Sequence, residues 1–259
     1  MGPEDLKRLH ALHKVEGSGP ITASEGRCFL RAIEKHRPRA FIELGTSSGL
    51  STGLLALMLH DNGGERLVSV DASERFYRDD ERSTGFLVSE MYDGDRVTVE
   101  LRSPMTSLDV ATWEETFEMG FVDANHQHPW PLIDTLCILP RLSGPRLLFH
   151  HDLNVYKKQR NANGVGPKYL FDQFPDSHRT RYAANGGNLF SLSLDLPAEQ
   201  IEAIATEAFA LPWTGLRWKR GQPFVEAFRG VLARHYSSAL LDAFNETAER
   251  FALDGARSH

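Results

Sequence analysis

Two groups of residues in this 259-residue chain have types and spacings that could do chemistry. The first is "AFIELGTSSG" at 40–49, followed by Asp71 in "RLVSVDAS". Gly45 and Gly49 let the backbone turn sharply and come close to a ligand. The helix expected behind them offers unpaired N–H groups. The loop Gly45-Thr46-Ser47-Ser48-Gly49 has three residues between its glycines and no lysine. It is therefore neither the G-x-G-x-x-G of a dinucleotide site nor a P-loop. Glu43, just before it, is an odd neighbour for a pyrophosphate and suits an ammonium group or hydroxyl donors. Asp71 has two acceptor oxygens, enough for both hydroxyls of a ribose.

The second group is Asp123, His126 and His128, then His150, His151 and Asp152. Histidine titrates near working pH, so His126 or His151 suits a general base beside Asp123. Neighbouring strand residues face opposite ways, so only one of His150 and His151 can face a crevice. The strand-end residue His151, with Asp152, is the expected one. The simpler reading of any single histidine is a solvated loop position.

Strands and helices must bring these groups together. Apolar runs at 40–44, 67–70, 97–101, 119–122 and 146–150 read as strands. Helical stretches lie between them, at 50–60, 73–91, 107–116 and 131–139. A further helix begins near 165, and strands at 180–184 and 188–196 close the series. This alternation means an α/β fold with a parallel sheet covered on both faces. Ligands then bind at the C-terminal strand ends. Leu6, Leu9 and Leu12 mark a short amphipathic helix, which "GSGP" at 17–20 ends. Thr22-Ala-Ser-Glu25 is a capping box that opens a second helix. Helices at 198–209, 223–235 and 237–252 form the tail. The stretch "LPWTGLRWKRGQP" (211–223), with Trp213 and Trp218, is a candidate linker or lid. The expected division is 1–36 (N-terminal helices on the cap or substrate side), 37–196 (ligand-binding domain) and 197–259 (a helical lid or dimer contact).

Composition narrows the function classes. The chain is 41% hydrophobic and 25% charged, with a net charge of −6. It has no Lys/Arg-rich run, which argues against nucleic acid as a partner. Cys28 and Cys137 lie in apolar stretches and read as buried thiols. The N-terminus lacks a signal-peptide core, and no apolar run approaches the roughly 20 residues that span a bilayer. A cytoplasmic protein without a membrane partner is expected.

Glu43 and Asp71 at two strand ends, with a glycine loop between, resemble the class I S-adenosylmethionine (SAM)-dependent methyltransferases. "FVDANHQHPWPLIDTLCILPRLSGPRLLFHHDL" is similar to the small-molecule O-methyltransferase group with a D-G-x-H-type fourth strand. Asp123 and His126 match that motif, Asp134 a helix aspartate and Asp152 the last strand's aspartate. Ala124 stands where the group has glycine, and His128 where an aromatic is common. The resemblance implies a Rossmann-like doubly wound sheet of seven strands, mostly parallel with the last antiparallel, flanked by extra terminal helices. It implies that Glu43, Gly45, Thr46, Ser47, Gly49 and Ser51 hold the methionine end of SAM. Asp71 and Ala72 would take the ribose, Ser103 the adenine, with Met105 packing on it, and Asp123 would border the donor. His126, His151 and Asp123 are the catalytic candidates. Related catechol-type enzymes bind magnesium here, so Asp123 and Asp152 are candidate ligands for a divalent metal that is not required. The implied reaction is methyl transfer to a small-molecule oxygen, in a chain that can form a homodimer. One rival keeps the fold but cyclises the aminobutyrate chain of SAM, releasing methylthioadenosine. Another is a SAM-binding sensor without catalysis.

Overall fold

A computed structural model describes residues 2–15, 21–158, 163–214 and 223–251. In chain order the elements are α1 (Pro3–His13), α2 (Ala23–His36), β1 (Ala40–Leu44), α3 (Leu50–Asn62), β2 (Arg66–Val70), β3 (Arg75–Phe76), β4 (Asp79–Ser83), α4 (Val88–Met91) and β5 (Thr98–Arg102). They continue as α5 (Ser107–Val110), β6 (Phe117–Val122), α6 (Trp130–Ile138), β7 (Leu142–His150), α7 (Gly166–Gln173), β8 (Arg179–Arg181), β9 (Phe190–Ser193), α8 (Ala198–Phe209), α9 (Pro223–His235) and α10 (Ser238–Phe251).

Seven strands form one sheet in the order β5-β2-β1-β6-β7-β9-β8. The first five run parallel, and β9 pairs antiparallel with both β7 and β8. This is the expected Rossmann-like architecture. Strand order reverses between β1 and β6, so a crevice opens beyond their C-terminal ends. The central strands are nearly continuous runs of buried apolar residues, because helices cover both faces.

Each face has its own core. On one side α1, α2 and α3 bury Leu6, Phe29, Ile33 and Leu54 with Phe41, Phe121 and Phe149. On the other, α6 to α10 bury Leu136, Phe209, Phe228 and Phe244 with Ile42, Leu148 and Phe190. Leu12, expected on the apolar stripe of α1, is 72% exposed, and that helix buries Leu6 instead.

Two expected helices are largely absent. Residues 73–91 form the β3–β4 hairpin and only one helical turn, α4. Polar side chains there compete for the backbone. Ser73 Oγ donates to the Arg75 carbonyl at 2.8 Å and Thr84 Oγ1 to the Ser73 carbonyl at 2.7 Å. Residues 107–116 give only α5. Beyond it the chain is drawn to the sheet edge, where Glu115 pairs with Arg66 and Arg102 at 2.7 and 2.8 Å. "GSGP" and Trp218 lie outside the described residues. Trp213 stacks on Phe244 and Phe251 and donates its indole N–H to the Phe209 carbonyl at 3.0 Å, as a packing anchor does.

Candidate active site

A cavity of about 1160 Å³ opens at the strand ends beyond β1, β2, β6 and β7. Its first wall is the loop from 45 to 49. Gly45 has φ +97°, and a side chain there would meet the Asp123 carbonyl oxygen at 2.1 Å. Gly49 has φ +89° and packs against Gly85 and Val88. Gly49 thus seats the loop on the hairpin side and does not line the cavity.

Asp71 braces this wall. Its Oδ2 accepts from the Ser47 amide and its Oδ1 from the Ser73 amide, both at 2.9 Å. Each oxygen keeps a lone pair for a ligand hydroxyl. Glu43 is fully buried beneath the wall. Ser51, Thr52 and Ser69 donate hydroxyls to its carboxylate at 2.5, 2.5 and 2.6 Å. Burial outweighs these three donors and pushes its carboxyl up to about 7. Ser51 reaches the cavity and Glu43 does not. Ser51 is thus the hydroxyl partner that links the buried glutamate to the cavity. Ser103 also lies outside the lining; Met105, Thr106 and Ser107 take that side. Ser107 Oγ donates to the buried Asp134 at 2.6 Å. Burial pushes the Asp134 carboxyl up to about 7.

The opposite wall holds the second group. His126 Nε2 lies 3.3 Å from Asp123 Oδ1 and 3.2 Å from Asp152 Oδ2. His151 Nδ1 lies 3.5 Å from Asp123 Oδ2 and 3.4 Å from Asp152 Oδ1. The two carboxylates thus stand between two imidazoles, with His126 on the open side and His151 at 3% exposure behind. Burial alone would raise Asp123, but His151 and His126 hold its carboxyl well below the usual range. Burial would lower His126, yet the hydrogen bond and charge of Asp123 hold it above its ordinary value. Asp152 sits at φ +60°, a left-handed conformation that aspartate tolerates better than most residues. Asn188 Nδ2 donates to its Oδ1 at 2.8 Å.

His128 and His150 do not join the site. His128 is buried edge-on against Tyr169, and burial pushes its ring down to about 4. His150 stacks on Phe190 at 5.1 Å and is pushed down to about 3 by burial. Strand alternation separates His150 from His151 as expected.

Residues 42–153 match the family model of a methyltransferase domain. Among solved structures it is similar to the SAH-bound methyltransferase PaMTH1 of Podospora anserina (TM-score 0.53, 15% identity, 73% of this chain and 86% of that one). It is also similar to cofactor-bound Rv0187 from MTB (TM-score 0.50, 16% identity, 73% and 88%). Identities this low carry the fold alone. No curated protein matches the chain.

The matched segment runs from β1 to just past β7, and part of the candidate site comes from outside it. Glu25 of α2, Asn185 and Asn188 all reach the second wall. Sequence reasoning took Glu25 only as a helix cap and Asn185–Asn188 only as a turn. The hairpin residues Tyr77 and Arg78, read as helix, border the cavity as well. Among the described residues, Asp123, His126 and Asp152 offer donor atoms within 4.8 Å of one another. Two carboxylates and an imidazole suit a small divalent cation. No helix among the described residues is long and apolar enough to cross a membrane.

Proposed function

We propose that this chain transfers the methyl group of SAM to an oxygen of a small-molecule acceptor. The observation that carries this reading is the pairing of two unlike walls in one cavity. One wall has a glycine turn and a cavity-facing carboxylate; the other has an imidazole between two carboxylates. The cavity exceeds the roughly 300–1,000 Å³ of a single-ligand pocket, which leaves room for two reactants.

Asp71 binds the ribose of SAM, and Ser51, polarised by Glu43, faces its methionine end. Met105 and Thr106 border the adenine. His126 takes the proton of the acceptor hydroxyl, and Asp123 and Asp152 stabilise the resulting imidazolium. The oxygen attacks the methyl carbon as the carbon–sulfur bond breaks, and the electron pair leaves on sulfur as S-adenosylhomocysteine. Most of the acceleration comes from holding donor and acceptor in line and excluding water. His151 turns both ring nitrogens toward carboxylates, so the base role falls to His126 alone. Asp123 and Asp152 are the oxygen donors that would hold a divalent ion. When bound, such an ion polarises the acceptor oxygen.

The test is product analysis with purified protein. S-adenosylhomocysteine formed only when an acceptor is present supports the reading. Methylthioadenosine formed from SAM alone sinks it in favour of intramolecular alkyl transfer. Tight SAM binding without turnover across an acceptor panel points to a sensor. Turnover that survives EDTA shows that no exchangeable metal is required.

A further inference from the structure

Glu25 occupies the third position of α2, where a capping-box glutamate reaches back to the N-cap amide. Here it is fully buried. Its Oε2 does the capping, accepting from the Thr22 amide at 2.7 Å and the Thr22 hydroxyl at 2.9 Å. Its Oε1 turns inward, 3.2 Å from His151 Nε2, and also accepts from Asn185 Nδ2 at 3.3 Å. Capping needs no such burial, and a buried carboxylate is costly unless it is paired. The pairing partner is His151.

The far nitrogen of that ring is equally specific. His151 Nδ1 is buried and makes no hydrogen bond. It lies at ion-pair distance from one oxygen of Asp123 and one of Asp152. A continuous line of alternating charge therefore runs from α2, through His151, to the two carboxylates of the second wall. Held from behind by Glu25, the ring lies against the far oxygen of each aspartate. The near oxygens point to the open side, where His126 Nε2 lies 3.3 and 3.2 Å from them.

We propose that Glu25 and His151 are a buried pair of positioning residues that aim Asp123 and Asp152 into the cavity and poise them for a divalent cation. Glu25 lies outside the matched methyltransferase segment, so α2 is part of the acceptor wall. The inference rests on the methyltransferase reading only for its place in the reaction; the cation test stands without it.

Mn²⁺ is the probe, titrated into the full-length protein by calorimetry and by electron paramagnetic resonance. The wild type binds one Mn²⁺, and Asp123→Asn abolishes binding. Glu25→Gln, which keeps the side-chain shape, weakens Mn²⁺ by at least about tenfold, as lost outer-sphere carboxylates do. SAM affinity in the same variant is unchanged, because the donor wall is untouched. A crystal structure of the wild type with Mn²⁺ needs no variant to fold. It should show the ion on Asp123 and Asp152, with His151 and Glu25 behind them. Three outcomes overturn the proposal: no Mn²⁺ binding by the wild type, equal binding by Glu25→Gln, or an ion ligated directly by His151. Loss of SAM binding by the wild type would instead overturn the methyltransferase reading, and is read separately.

Discussion

Asp71 and Glu43 are both acidic strand-end residues, but they act at different depths. Asp71 faces the cavity with backbone donors already on each oxygen. Asp71→Ala should weaken SAM binding by ~10-fold or more, since it loses charge-assisted hydrogen bonds worth about 1.5–3 kcal/mol; calorimetric titration checks this. Glu43 is buried, with its carboxyl raised to about 7 against an ordinary 4.5. A raised carboxyl contributes stability below its unfolded pKa and loses it as pH rises through the folded value. Glu43→Gln removes this titration. In the ligand-free protein the variant should gain on the wild type by roughly 2 kcal/mol between pH 5 and 8; urea melts across that range read the difference. Sequence spacing found both residues because motif and strand end coincide there. It could not show that Glu43 sits behind a layer of hydroxyls. Nor could it separate the buried His128 from the cavity-facing His126, since loop residues follow no fixed alternation.

Among the elements, the parallel strands were legible and the segments after β2 and β5 were not. Buried parallel strands write themselves as apolar runs. The hairpin of β3 and β4 has four exposed residues in its second strand and is held by side-chain-to-backbone bonds, which leave no apolar period. The loop from β1 to α3 is a close-fitting joint between elements. Gly45 has φ +97°, and a Cβ added there would fall 2.1 Å from the Asp123 carbonyl oxygen. Gly45→Ala should therefore push the loop off β6. The expected result is loss of SAM binding together with more than about 1 kcal/mol of stability, well beyond the propensity difference of the two residues. Isothermal titration and thermal melts on the same variant separate the two losses.

At the scale of the whole molecule, the tail helices are structural members of one core rather than an appendage. Phe244 of α10 is buried, with Phe228, Phe209 and Trp213 ring centroids at 5.0, 5.3 and 5.9 Å. Phe244→Ala should cost about 3–5 kcal/mol, read as a lower melting temperature with SAM affinity retained. Sequence showed that these helices exist but not what they cover, because an amphipathic period names a buried face and not its partner. The partnership between α2 and the second wall was invisible for the same reason. It also has a consequence for the order in which the molecule assembles. The donor wall is closed by a contact spanning 24 residues, Ser47 to Asp71. The acceptor wall needs contacts spanning 126 residues, Glu25 to His151, and 160 residues, Glu25 to Asn185. Loop-closure entropy makes the longer contacts about 1.5 kcal/mol harder to form, and they must wait for most of the chain to emerge. The acceptor wall should order last and open first. In native-state hydrogen exchange, amides at 22–25 and 184–188 should lose protection while those of β1 and β2 keep theirs. A chain caught part-way through folding would then hold its donor before it could use it.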